Sequence, residues 1–334
     1  MIKKIIIILA AALLSFSASA DDFSKAGTAG AQFLKIGVGA RYDAMGEASV
    51  ALVDDAYAMY WNPAGMTKVY ANELAFTHTN YLLDVSLNYI AYVRRIDDLG
   101  VFGASATVLS MNEQEITTVD EPDGTGDTYG ASSWAFQIGY ARDLTAQFSI
   151  GLAVKFLGEK IYNESAQGFA FDFGTMLYTG INSLRIGMNI SNMGPEMEFD
   201  GPDLDVQYEP DPTNPNQDPV NSRLAVDTYD LPLSFRVGIA YDFIFNPEAK
   251  LLLAAEAKHP NDNLQQGALG AEFAWRDKYF LRSGYKLNYE EEGFSFGGGL
   301  ITRLSGDTDV SFDYAWVDYG RLSSIHRFSA SLIF

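Results

Sequence analysis

Phe148-Ser149-Ile150-Gly151-Leu152-Ala153-Val154-Lys155-Phe156 decides the fold. Large apolar side chains take every second position, and Ser, Gly, Ala and Lys fill the positions between. A period of two sends successive side chains to opposite faces, so this is a strand with one apolar and one polar face. The make-up of the polar face matters more than its polarity. The outer face of a soluble sheet carries long, solvated side chains. Small residues with scattered ions instead suit the crowded lumen of a membrane barrel, and the large apolar face suits lipid.

The pattern repeats along the chain. Trp134, Phe136, Ile138 and Tyr140 alternate with Ala135, Gln137, Gly139 and Ala141; Leu184, Ile186, Met188 and Ile190 alternate with Arg185, Gly187, Asn189 and Ser191. About fourteen such runs, each near the nine to eleven residues of a tilted membrane strand, start near Glu73, Ser86, Gly100, Ser132, Gln147, Gly168, Ser183, Leu231, Lys250, Gly267, Tyr279, Gly293, Thr308 and Ser324. The predicted fold is all-β, an antiparallel transmembrane barrel of about fourteen strands over residues 73–334. Connection lengths test this parse. With the first strand running outward, the odd connections are the outer ones and the long ones. The third (about 112–131) and seventh (about 193–230) are long, whereas Thr179-Gly180-Ile181-Asn182 and Arg276-Asp277-Lys278 are tight even ones. Phe328, Ala330, Leu332 and Phe334 share one face of the last run, and a final strand ending in an aromatic residue resembles the assembly signal of outer-membrane barrels. Tyr and Trp near strand ends suit the headgroup level.

Composition agrees and excludes alternatives. The 334 residues carry 43 acidic against 23 basic side chains, a formal charge of −20, and no cysteine. So acidic a chain lacks the basic face that nucleic acid requires. Without cysteine there is no disulfide, thiolate metal site or cysteine nucleophile. Lys3-Lys4, the apolar run Ile5–Leu14 and Ser17-Ala18-Ser19-Ala20 read as a signal peptide over residues 1–20. Its removal takes two lysines and no acid, so the charge becomes −20 − 2 = −22.

Residues 21–72 break the alternation. Glycines punctuate short apolar pieces, Asp54-Asp55 offers a helix cap, and Pro63 stops any helix. A segment of this size ahead of a barrel has a place as a hatch inside the lumen. Its residues resemble the PorV/PorQ family of outer-membrane proteins: the stretch from Gly27 to Arg41 with Gly37 and Gly39, then Ala44-Met45-Gly46-Glu47-Ala48, Asp54-Asp55-Ala56 and Trp61-Asn62-Pro63-Ala64-Gly65-Met66. The Asn-Pro-Ala-Gly element also resembles the hatch of the broader FadL family. Glu47 departs from the pattern, where a second glycine is expected. The resemblance implies a fourteen-stranded barrel with an amino-terminal hatch, and a choice of functions. PorV-like proteins take part in type IX secretion as accessory or shuttle components, with a secretion translocon and cargo carboxy-terminal domains as partners. FadL-like channels take up hydrophobic small molecules such as fatty acids or aromatics. A purely structural membrane protein is a third class. All place the chain in the outer membrane, in contact with its lipid and dependent on the barrel assembly machinery.

No enzyme is legible. His78, His259 and His326 lie on different runs with no metal or triad spacing, and Gly297-Gly298-Gly299 sits in a strand, away from any helix N-terminus that would make it a phosphate loop. No cofactor or metal is expected. Parity assigns Arg94, Lys155, Arg185, Arg236, Arg282, Lys286, Arg303 and Arg327 to the lumen, with Asp172, Asp242, Glu256 and Asp313. They are either a charge ring lining a pore or cross-strand pairs that fill a narrow lumen and grip the hatch; the second suits the small residues around them. The acidic loop Asp120–Asp127 offers oxygen ligands without EF-hand spacing. The proline-rich, acidic stretch Pro195–Pro219 reads as an extended outer loop, either a partner site or a solvated connection.

Overall fold

The computed structural model describes residues 26–210 and 218–334; the signal-peptide expectation falls on residues 1–20, outside the described residues. Fourteen antiparallel strands close into one barrel. They are β1 (Glu73–Asn80), β2 (Ser86–Ile96), β3 (Gly100–Ser110), β4 (Ala131–Thr145), β5 (Phe148–Ile161), β6 (Glu164–Tyr178) and β7 (Arg185–Met193). Then come β8 (Ser234–Asn246), β9 (Ala249–Pro260), β10 (Gln266–Trp275), β11 (Tyr279–Leu287), β12 (Phe294–Ser305), β13 (Thr308–Asp318) and β14 (Ser324–Ile333). β1 pairs with both β2 and β14, which abolishes the free edge. Beyond the last strand, Phe334 and Asn72 exchange two backbone hydrogen bonds of 2.9 Å and extend the seam by one residue pair. No helix among the described residues is long and apolar enough to cross a membrane.

The small face is the inner one. In β5, Ser149, Gly151, Ala153 and Lys155 are buried, while Leu152, Val154 and Phe156 are exposed. A belt of exposed Phe, Leu, Ile and Val surrounds the wall, the arrangement that lipid requires.

Two departures from the expected strands have local causes. β6 begins at Glu164, not near Gly168, because Glu164–Gln167 pairs with Gly158–Ile161 beyond the lipid-facing alternation. The fifth connection is therefore only Tyr162-Asn163, with Tyr162 in the left-handed region (φ 53), although it lies at the end with the long loops. The seventh connection is less extended than its prolines suggest. Met197 and Leu231 pack with Phe33 and Leu34, and Gly30 N donates to Asp230 O at 3.0 Å. Farther along it, Asp205–Tyr208 and Val220–Arg223 form a short and largely exposed ladder.

Residues 31–69 lie inside the barrel. They form two short helices, α1 (Ala40–Ala44) and α2 (Ala58–Trp61), and 3-10 turns at Gln32–Lys35 and Pro63–Lys68. The inner wall makes room for their backbone with glycine. A β-carbon at Gly151 would lie 2.3 Å from Ala64 N, at Gly187 2.1 Å from Val50 O, at Gly284 2.0 Å from Gly46 N, and at Gly297 2.5 Å from Ala44 Cβ. No side chain fits at such separations. The Gly-rich inner face is thus the imprint of the segment it encloses, and Gly297 is used for close packing.

Candidate functional site

The Trp61-Asn62-Pro63-Ala64-Gly65 element locks the enclosed segment to the wall. Asn62 is fully buried and leaves the helical conformation (φ −164), since a residue before proline is pushed to extended backbone. Its Nδ2 donates to Val50 O (2.7 Å) and to Thr175 O on β6 (3.0 Å), and its Oδ1 accepts from Ala64 N (3.2 Å). Pro63 opens the following turn, where a missing N–H costs nothing. Trp61 Nε1 donates to Val38 O (2.9 Å), and the Arg236 guanidinium lies 4.8 Å from its ring centroid. A β-carbon at Gly65 would meet Val53 O at 2.5 Å. Met45 packs against Gly270, and Gly39 and Gly46 hold φ of 86° and 66°.

Ions do the rest of the fastening. Arg41 bridges Asp54 (2.6 Å), Asp55 (3.6 Å) and Glu272 on β10 (3.1 Å); Glu272 continues to Arg282 (2.6 Å) and that to Asp313 (2.5 Å). The expected helix cap is not made, since the N-terminus of α2 has no side-chain cap; Asp55 Oδ1 instead accepts from Tyr57 N (3.0 Å) and closes the turn before it, and Asp54 pairs with Arg41. Burial pushes the Asp55 carboxyl up to about 6; Arg41 pulls against this and Asp54 adds to it. Glu256 accepts from Ser49 N and Val50 N (2.8 Å each) and from Arg236 (3.3 Å). Arg327 pairs with Asp43 of α1, and its Nε donates to Thr79 Oγ1 (2.7 Å). Lys286 holds Glu47 (2.8 Å) and Glu292. Burial opposes ionisation of Glu47, but Lys286, Lys258 and Arg236 outweigh it and keep its carboxyl below the usual range. Glu47 itself sits in the left-handed region at φ 66, the conformation for which glycine is the usual residue.

Other lumen charges pair within the wall: Lys155 with Asp172 (2.8 Å) and Arg185 with Asp242 (3.2 Å). Two expectations fail. Arg94 points outward and is exposed; Arg95 is the inward residue, its guanidinium donating to Val69 O (3.1 Å) and Thr67 O. The inner face of β2 is Leu87, Tyr89, Ala91 and Val93, because it packs on the aromatic rings of the enclosed segment, so the small-and-polar rule for the lumen reverses there. Arg303 has inward parity but lies at the turn end of β12, 69% exposed, paired only with Asp309 (3.3 Å). Asp43, Glu272 and Gln266 were not assigned from sequence. Strand parity counted from Gly270 reaches the last two. Phe328 and Phe334 are exposed on the outer face and Leu332 is half-buried beside them. Among the described residues no three His, Cys, Asp or Glu side chains gather into a metal site, the Asp120–Asp127 loop included.

The filling leaves two separate cavities. One of about 580 Å³ opens at the end with the short turns, lined by Arg41, Asp55, Glu73, Lys250, Glu272 and Asp313. Another of about 480 Å³ opens at the end with the long loops, between Phe33, Ile36, Lys258, Gln266, Tyr289 and Leu322. Between them lie fully buried Tyr42, Met45, Met59 and Trp61.

Known proteins of the same shape are barrels. The toluene transporter TodX of Pseudomonas putida superposes with a TM-score of 0.59 at 12% identity, over 89% of this chain and 99% of that one. The toluene transporter TbuX of Ralstonia pickettii gives 0.54 at 13%, over 89% and 97%, and a FadL homologue of Pseudomonas aeruginosa 0.55 at 12%, over 89% and 98%. None of the curated proteins matches the sequence. The family model described as "Type IX secretion system protein PorV" matches residues 18–217.

Proposed function

This chain belongs to the PorV family, and from that membership we propose that it is an outer-membrane component of type IX protein secretion. In this reading residues 1–20 are a signal peptide, 21–72 a fixed hatch and 73–334 the membrane barrel. The translocon and the carboxy-terminal domains of exported proteins are the partners. The chain performs no catalytic step. The observation that carries the reading, beside the family match, is the filled lumen. A protein that passes or receives cargo at its loop end needs an exposed binding surface and no open bore. The exposed ladder of the seventh connection and the loop-end cavity supply such a surface.

Uptake of hydrophobic small molecules is the second reading, favoured by the shape shared with TodX and TbuX, which are toluene transporters. It needs an apolar pocket within the barrel. The apolar cleft of about 570 Å³ instead opens on the outer wall, between Phe76, Gly298, Phe312 and Phe328, and both internal cavities are lined with ions. Cells lacking the protein separate the readings. Export predicts that surface-delivered proteins accumulate in the periplasm while growth on aromatic hydrocarbons and fatty acids is unchanged. Unimpaired surface delivery would overturn the export assignment.

A further inference from the structure

Besides the two open cavities, the wall and its filling enclose a small one of about 10 Å³. Lys155 of β5, Ser234 and Arg236 of β8 and Lys258 of β9 line it from the wall, and Lys35 lines it from the enclosed segment. Four cationic side chains meet there, and no carboxylate is part of the lining. Like charges repel strongly where water is excluded, so such a group needs compensation. The carboxylates behind it are shared with other donors. Asp262 pairs with Lys35 (3.0 Å) and accepts from Gln32 Nε2 (2.7 Å). Asp172 pairs with Lys155 (2.8 Å) and accepts from Asn192 N (2.8 Å) and Gln137 Nε2 (3.1 Å). Glu256 divides itself between Arg236 and the Ser49 and Val50 amides. Lys258 takes part in no ion pair among the described residues; its ammonium lies 5.7 Å from the Tyr289 ring centroid. The acids of the adjoining loop-end cavity are engaged elsewhere or exposed: Glu47 and Glu292 pair with Lys286, Glu291 pairs with Arg321, and Glu290 faces solvent. A second observation is independent of charge. Ser234 is 3% exposed and its Oγ has no hydrogen-bond partner, a state that buried hydroxyls rarely keep.

We propose that this cavity binds a single monoatomic anion, chloride, held by the Ser234 hydroxyl and the surrounding cationic groups. Size and charge select it together. A space of about 10 Å³ takes one species near the size of a water molecule, which excludes carboxylates, phosphates and every larger ligand. A water molecule would satisfy the Ser234 hydroxyl but leave four cations facing one another. A small anion answers both needs with one particle. Its position also gives it a task. Lys35 belongs to the enclosed segment and the other four lining groups named above to three wall strands, so the anion fastens that segment to the wall as the ion pairs do elsewhere. The inference is independent of the export and uptake readings.

Purified full-length protein in lipid nanodiscs provides the test. At constant ionic strength, sodium gluconate is replaced stepwise by sodium chloride, sodium bromide or sodium sulfate. The temperature at which gel migration changes from folded to unfolded barrel is read at each step. Chloride and bromide are expected to raise it saturably, by at least about 2 °C, because an anion bound only to the folded state stabilises by mass action. Sulfate is too large for the cavity and is expected to act like gluconate. Ser234→Ala is expected to weaken the halide response roughly tenfold, the value of one charge-assisted hydrogen bond. Lys258→Met removes a repelling charge, so it is expected to raise the temperature in gluconate and to flatten the halide response. Crystals grown in bromide are expected to show an anomalous peak among Lys155, Ser234, Arg236 and Lys258. A response that is equal for sulfate and chloride, a halide response unchanged in both variants, or a bromide crystal with a water only at this position would overturn the proposal.

Discussion

Asp54 and Asp55 are neighbours in the chain with separate tasks. Asp54 neutralises Arg41, while Asp55 closes the turn before α2 and is pushed up to about 6 by burial. The sign of its pH effect follows. Its carboxyl titrates near 6 when folded against 3.8 as a free side chain, so the ionised form is penalised in place. The penalty is absent below 3.8 and complete above 6, and the segment is held more tightly at pH 5 than at pH 7.5. Glu47 runs the opposite way, but its carboxyl is held below the ordinary range and stays ionised in that window. Amide protection factors over Ala56–Tyr60 are therefore expected to rise on acidification from pH 7.5 to 5, and Asp55→Asn to abolish the change. A rise that persists in the variant would assign the effect to another group. Glu47 also marks a limit of the sequence reading. Its departure from the expected glycine is visible in the chain, whereas its compensation is not. Lys286 lies 239 positions away and pairs with it at 2.8 Å.

Strands were legible because lipid imposes a period of two on the outer wall whatever the chain does elsewhere. Twelve of the fourteen observed starts, all but those of β6 and β8, fall within about two residues of those read from alternation, a margin that matches the usual fraying of strand ends. Legibility stopped where the wall answers to something other than lipid. The inner face of β2 is apolar because Tyr57 stacks on Tyr89 at 5.7 Å, so parity between the adjacent Arg94 and Arg95 was assigned the wrong way round. The inward glycines were read only as small residues, since their fit to one particular backbone is a tertiary fact. That fit gives a paired prediction. Gly284→Val places a side chain where the Gly46 backbone now lies, at 2.0 Å for the β-carbon alone, and is expected to cost upwards of about 3 kcal/mol. Gly298→Ala on the outer wall meets Phe280 O at an ordinary 3.4 Å and is expected to be neutral. Denaturant-dependent gel migration of the two variants checks both. Equal stability would mean that the segment does not sit against β11. At the seam, deleting Phe334 removes both bonds to Asn72 and the last lipid-facing ring, and is expected to lower outer-membrane levels; unchanged levels would remove its part in assembly.

At the scale of the whole molecule the barrel is a container, and what it contains is its own chain. Fourteen strands enclose a bore wide enough for water, as in barrels of similar strand number that leave channels or hold plugs. Here Trp61, Tyr42, Met45 and Met59 fill the interior, and charged side chains from at least four wall strands hold the filling by ion pairs and hydrogen bonds. Glu272 takes Arg41, Glu256 takes Ser49 and Val50, Lys286 takes Glu47 and Arg327 takes Asp43. Breaking any one buried pair leaves a lone charge, at a cost of about 3–5 kcal/mol, so the wall and its contents stabilise each other and the seal is not a loose lid. The intact protein in a planar bilayer is accordingly expected to pass no steady ionic current. A variant lacking residues 26–69 keeps the strands and loses the filling, and is expected to conduct at all voltages. A steady current through the intact protein, comparable with that of the variant, would mean that the segment opens on its own, and the case for a closed export component over an uptake channel would fall with it.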